Sequence, residues 1–212
     1  LTVIAELREL ESQFNPHFLF NTLENIKFMV RLDPGAATEM IMALSTLLRY
    51  SITSSGQQVE LQEDIKYLES YIKIQQYRFG SRLEFDAHIE QAARSAAIPK
   101  LLFQPLLENA IKYGEDECGK LKISFQVGIS DGQLHVLVKD AGRGIEDEKL
   151  AQLRKLLESS ENDTGHWGLF NVQRRLQLIY GTDYGLTISC PHDGGTEIRL
   201  SLPLAKKERK DA

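Results

Sequence analysis

Asn109 and Lys112 stand one helical turn apart within Gln104-Pro105-Leu106-Leu107-Glu108-Asn109-Ala110-Ile111-Lys112-Tyr113. An amide oxygen facing a cavity can serve Mg²⁺, a hard cation that takes oxygen ligands and draws most of them from water and phosphates. A lysine one turn on can neutralise phosphate charge. A second cluster, Asp140-Ala141-Gly142-Arg143-Gly144, follows an alternating apolar run. A carboxylate at a strand end can accept a hydrogen bond from an adenine amino group, and glycines let backbone approach the ring without a Cβ in the way. The third cluster is Thr164-Gly165-His166-Trp167-Gly168-Leu169-Phe170-Asn171-Val172, a glycine-bearing loop entering a helix. Helix N-terminal N–H groups attract phosphate, and glycine lets the chain bend around it. Taken singly, each cluster has a plain alternative: a core helix with a solvated face, an Asp-Gly turn, a capped loop. The chain contains no G-x-x-x-x-G-K-[ST] and no G-x-G-x-x-G after a strand, so neither a P-loop nor a dinucleotide fold is supported.

These clusters need elements to hold them. Val3, Leu7, Leu10, Phe14 and His17 fall at alternating steps of four and three, one stripe of a helix. After a break at Asp33-Pro34-Gly35, Met40, Ile41, Leu44, Leu48 and Ile52 repeat the spacing and end in Thr53-Ser54-Ser55-Gly56. The first 55 or so residues therefore read as a helical hairpin. Its core is too small to stand alone, so pairing with a second copy into a four-helix bundle is expected. Val59 to Leu61 read as a short strand and Ile65 to Tyr77 as a helix closing at Phe79-Gly80. Leu83, Phe85 and Ile89 mark a strand, and Pro99 is expected to open an apolar helix ending at Gly114. Leu121 to Val127 and Leu134 to Val138 alternate across Asp131-Gly132, a hairpin signal. Helices over Glu146 to Leu157 and Leu169 to Tyr180 flank a polar Ser159 to Gly165 loop, and two strands close the chain around Gly194-Gly195. The expected architecture is α+β: an N-terminal helical hairpin at 1–56, a mixed sheet covered by helices at 57–205, and a solvated tail at 206–212.

Composition excludes several classes. The formal net charge is −5, with no long cationic run to neutralise a nucleic-acid backbone. Cys118 and Cys190 lie far apart in no paired metal-ligand pattern, which fits a reduced, cytosolic setting. The chain starts at Leu1 and has no apolar run of about 18 residues, so it reads as a soluble fragment without direct membrane contact of its own.

Together, in this order, the three clusters resemble the N, G1 and G2 boxes of the GHKL-type ATP-binding domain, and the second domain is expected to be a Bergerat-type α/β sandwich. Upstream, Gln13-Phe14-Asn15-Pro16-His17-Phe18-Leu19-Phe20-Asn21-Thr22-Leu23 resembles the phosphoacceptor motif of LytS/YesM-type sensor histidine kinases. Leu48 to Ser51, Tyr71 to Phe79, Ile98 to Gly114 and Gly165 to Leu169 resemble the same subfamily, so the likeness covers nearly the whole chain.

The resemblance implies a two-component signalling enzyme, a homodimer forming the cytoplasmic part of a bacterial plasma-membrane protein. It implies ATP-dependent autophosphorylation of His17, then transfer to an aspartate of a response regulator receiver domain. A neutral imidazole is a nucleophile at cytosolic pH, and the protein has mainly to position it in line while Mg²⁺ offsets developing charge. Carried over by position, Asn109 matches the magnesium ligand and Asp140 the residue that reads adenine. Gly142, Gly144, Gly165 and Gly168 match the box glycines, and Glu108, Lys112, Tyr113, Leu169 and Asn171 occupy N-box or G2 positions. Asn21, one turn from His17, is the candidate for orienting the ring. Phe18 stands where many histidine kinases carry an acidic residue, Tyr113 where this subfamily often has His, and Ala141 where G1 usually has Asn. Pro105 takes the place of the glutamate with which water-using GHKL ATPases activate water.

Overall fold

A computed structural model describes residues 16–52, 58–159, 167–192 and 194–205. The stripe from Val3 to Phe14, the Thr53 to Gly56 linker, Gly165 with its loop and the 206–212 tail lie outside the described residues. The chain divides into two compact units. One gathers the helical hairpin with Ile65–Ser81, and the other holds the segment through Asp64 together with everything from Arg82 on.

In the first unit, helix α1 (Pro16–Leu32) and helix α2 (Pro34–Ile52) are separated by Asp33 alone. Asp33 caps α2: its Oδ1 accepts the Ala36 N–H at 3.0 Å, and Pro34 follows in the first turn, where its missing N–H costs nothing. Helix α3 (Leu61–Phe79) contributes the third wall from Ile65 onward. The rings of Phe18 and Tyr71 lie 5.2 Å apart and those of Tyr50 and Tyr67 5.1 Å. Glu39 on α2 accepts from Tyr77 at 2.6 Å and pairs with Lys73 at 2.8 Å, both on α3. The expected α2 stripe splits in two. Met40, Leu44 and Leu47 are buried, whereas Ile41 and Ile52 stay exposed on a second flank. The expected boundary between 56 and 57 and the observed partition differ over Ile65–Ser81, which clusters with the hairpin.

The second unit is a five-stranded mixed sheet in the order β2-β4-β5-β7-β6, with β2 parallel to β4 and the other pairs antiparallel. The strands are β2 (Leu83–Ile89), β4 (Leu121–Ser130), β5 (Gln133–Asp140), β6 (Gly185–Ser189) and β7 (Glu197–Pro203). Period-two alternation puts Leu121, Ile123, Phe125 and Val127 of β4 and Leu134, Val136 and Val138 of β5 in the core, under helices α4 (Gln104–Tyr113), α5 (Asp147–Glu158) and α6 (Trp167–Tyr180). Lys122, Gln126, Thr187 and Arg199 stay in solvent on the other face. The expected α+β architecture with a mixed sheet is therefore borne out. The β4–β5 turn is tight, with Asp131 at φ 50° and Gly132 at φ 72°, the paired positive values of a type I′ hairpin.

One expected element is corrected. Pro99 does not open the apolar helix: it ends a three-residue strand, β3 (Ala97–Pro99), paired antiparallel with β1 (Gln58–Glu60). Leu101 then turns at φ 58°, a left-handed conformation that no right-handed helix can pass through, and α4 starts only at Gln104 with Pro105 in its first turn.

Candidate functional site

Helix α4 is divided lengthwise by its own spacing. Leu106, Leu107, Ala110 and Ile111 are buried, while Pro105, Glu108, Asn109 and Lys112, at steps of three and four, share the opposite face. Glu108 accepts from Gln104 Nε2 at 2.7 Å; burial pushes its carboxyl above the ordinary range, and that bond partly opposes the shift. Asn109 is half-buried. Lys112 is exposed, with its ammonium 4.9 Å from the centre of the exposed Tyr113 ring.

The C-terminal end of α4 closes against the end of β5. Gly114 donates to Ala110 O at 2.8 Å, and a Cβ on it would lie 2.7 Å from the Asp140 Cβ. A Cβ on Gly142 would stand 2.7 Å from Gly114 Cα and 2.9 Å from the Tyr113 carbonyl oxygen. Backbone thus packs on backbone at two glycines, a cradle that no other residue fits. Asp140 sits at its floor, 5 % exposed. Its Oδ1 accepts the Gly142 N–H at 3.0 Å and the Thr196 N–H at 3.1 Å. Burial raises the Asp140 carboxyl above its usual value, and the Gly142 and Thr196 bonds pull the other way. Gly195, at φ 79°, completes the wall, since a Cβ there would run into the Asp140 carbonyl. Gly144, at φ 73°, passes close to Cys190, whose Sγ accepts the Ile145 N–H at 3.3 Å.

Helix α6 starts over the first turn of α4: a Cβ on Gly168 would lie 4.0 Å from Pro105 Cβ. Leu169 is buried beside Phe170, and Asn171 is exposed. The second unit therefore brings Tyr113, Asp140, Gly142 and Gly144 around the C-terminal end of α4 and the end of β5, with Glu108 and Asn109 on the open face of α4 and Gly168 over its first turn. Gly195 and Thr196 were missed as site residues. The Gly194-Gly195-Thr196 run before the last strand was the available signal, but it reads as an ordinary hairpin until Asp140 is seen against it.

In the helical unit His17 is exposed in the first turn of α1. Asn21 Nδ2 lies 3.2 Å from its Nδ1 and 3.3 Å from its Nε2, so the amide sits across the ring edge. Phe18 turns inward onto Tyr71, and Thr22 Oγ1 donates to the Phe18 carbonyl at 2.7 Å, which fixes the turn that carries the histidine.

A histidine kinase family model matches residues 5–83, and a model of the histidine kinase-, DNA gyrase B- and HSP90-like ATPases matches residues 96–206. The sensor protein kinase HptS of Staphylococcus aureus is 37% identical over 201 residues, 95% of this chain and 39% of that protein. The chain thus spans about two fifths of the length of the curated relatives it matches. Among solved structures, the catalytic domain of histidine kinase ThkA covers 69% of this chain and 94% of its own, with a TM-score of 0.52 at 16% identity. A bacterial phosphotransferase covers 91% of this chain and 95% of its own, with a TM-score of 0.56 at 13% identity, a likeness of fold. With the glycine cradle around Asp140 in one matched segment and the exposed His17 in the other, the chain belongs to the histidine kinase-, DNA gyrase B- and HSP90-like ATPase family and, within it, to the histidine kinases.

Proposed function

We propose that this chain is the catalytic core of a LytS/YesM-type sensor kinase that binds MgATP in its second unit, phosphorylates His17 and hands the phosphoryl group to a receiver-domain aspartate. The observation that carries the reading is the cradle of Gly114, Gly142 and Gly195 around the buried Asp140 carboxylate. A flat ring needs close backbone, and its amino group needs a fixed acceptor. Asp140 accepts from the adenine amino group, and the glycines let the ends of α4 and β5 and the turn before β7 close tightly enough to hold that carboxylate in place. The start of α6 and Lys112 face phosphate charge. Asn109 offers an amide oxygen on the open face of α4, beside the Glu108 carboxylate, a donor set that suits a hard cation. Mg²⁺, when bound there, offsets the charge that develops on the phosphates.

The acceptor is His17. An amide turned through a half-turn presents its oxygen where its nitrogen was. In that orientation Asn21 accepts from a ring N–H of His17; lying 3.2 Å from Nδ1 and 3.3 Å from Nε2, the amide orients the imidazole without selecting one nitrogen. Phe18, occupied with Tyr71, holds the turn rather than moving a proton.

Residues 1–56 serve dimerisation and phosphotransfer, 57–205 bind nucleotide and 206–212 form a tail, with α3 shared between the two functions. The homodimer is supported by apolar side chains left in solvent on α1 and α2, among them Phe28 at 64% and Ile41 at 52% exposure. No described helix is long and apolar enough to cross a membrane. Membrane attachment of the whole protein, on the cytoplasmic side, is inferred from the sensor protein kinase that the chain matches over 39% of its length.

Incubation of the chain with γ-labelled MgATP tests this reading. The label should be acid-labile, base-stable and lost in His17→Gln. Acid-stable label, or label that survives in His17→Gln, would refute it.

A further inference from the structure

Leu101 is the one bulky residue with positive φ among the described residues; the other non-glycine case, Asp131, sits in a hairpin turn that requires it. A leucine in the left-handed region is held there only by its surroundings. Asp64, on the first turn of α3 and 1% exposed, supplies the hold: its Oδ1 accepts the Leu101 N–H at 2.7 Å. The neighbouring carbonyl of Lys100 accepts Arg175 Nη1 from α6 at 2.7 Å. Just upstream, Pro99 pairs with Gln58 across β1 and β3, and the Leu61 N–H reaches Ala96 O at 2.8 Å. Just downstream, Leu102 and Phe103 are fully buried, Phe103 lies against Phe125 at 5.2 Å, and α4 begins. The Lys100–Leu101 turn therefore joins the start of α3, the start of α4 and the middle of α6. Two of these helices hold the nucleotide residues: Asn109 is on α4, and Gly168 begins α6 against Pro105.

We propose that Asp64 is a positioning residue of the nucleotide site, acting through the Lys100–Leu101 turn to fix α4 against α6; the inference rests on the nucleotide reading above. Asp64 touches no nucleotide. It sets the register of the helix that carries Asn109. Asp64 and the turn it holds both belong to the second unit, and α3 runs on from there into the residues that cluster with the helical unit. Without the bond, Leu101 leaves its left-handed conformation, the first turn of α4 shifts, and Asn109 and Pro105 move relative to Gly168.

The test is MgATP binding and steady-state autophosphorylation by the full chain, with thermal unfolding followed in parallel. Asp64→Asn keeps an acceptor oxygen and should bind MgATP within about twofold of the parent. Asp64→Ala should raise Kd and KM for ATP about tenfold while leaving kcat at saturating ATP within about threefold. Leu101→Gly, which adopts the left-handed conformation freely, should recover much of that loss in the Asp64→Ala background. Arg175→Ala, which frees the other side of the turn, should also weaken MgATP, and it decides the matter if Asp64→Ala does not fold. Parent-like affinity in Asp64→Ala or, where that variant is unfolded, in Arg175→Ala overturns the proposal. So does an Asp64→Asn chain as weak as Asp64→Ala, or no recovery with Leu101→Gly. A parent chain that binds no MgATP would instead bring down the nucleotide reading and this inference with it.

Discussion

Asp140 serves two demands that oppose each other. Burial disfavours its charge, yet the ionised form is the better acceptor for an adenine amino group and for the N–H groups of Gly142 and Thr196. The folded-state pKa is raised, so ionisation counts against the fold. That cost is absent below the ordinary aspartate value and fully present once the pH exceeds the raised one. Asp140→Asn removes the cost, keeps an oxygen for Gly142 and Thr196, and turns a donor toward the adenine amino group. The expected result is a thermal midpoint at neutral pH equal to or above the parent's, with MgATP affinity down by about tenfold or more. A variant that binds MgATP normally would contradict the assignment. In the parent, affinity should begin to fall with decreasing pH above the range where an exposed aspartate titrates, a dependence the Asn variant should lack. At this scale the sequence was informative where partners are close along the chain. His17 and Asn21 are four residues apart and Asp140 and Gly142 two, so spacing alone pairs them. Thr196 reaches Asp140 across 56 residues, and nothing local announces it.

The helices and strands show the same division between local and distant causes. Alternation along β4 and β5 and the Asp131-Gly132 turn are local, and the hairpin was legible to within three residues at each strand end. The start of α4 was not, because the conformation of Leu101 depends on Asp64, 37 residues upstream. Pro99 therefore read as a helix opener although it ends a strand. The glycine cradle is likewise an arrangement of elements: α4, the end of β5 and the turn before β7 meet with no room for side chains. Gly195→Ala adds a Cβ against the Asp140 carbonyl in a left-handed conformation, so the loss in stability should be about 3 kcal/mol. Chemical denaturation monitored by Trp167 fluorescence would measure it. A loss smaller than about 1 kcal/mol would show that the turn before β7 can yield without disturbing Asp140.

For the whole molecule, the order of the motifs indicated two functional parts, while the sharing of α3 between units became visible only in the packing of Tyr67, Tyr71 and Tyr77 with the hairpin. The apolar flank of α1 and α2 calls for a second copy. Phe28→Glu combined with Ile41→Glu should shift the chain to monomer, raising the dissociation constant about a hundredfold in sedimentation equilibrium, while MgATP affinity in the second unit stays unchanged. An undisturbed dimer would place the interface elsewhere. The central claim is that phosphate from ATP comes to rest on one imidazole. The most direct measurement is tandem mass spectrometry, under neutral conditions, of the peptide spanning His17 after incubation with MgATP. The account predicts a phosphoryl group on His17 alone; a phosphoryl group on Thr22 or another hydroxyl, or an unmodified His17 in a chain that demonstrably holds MgATP, would contradict it.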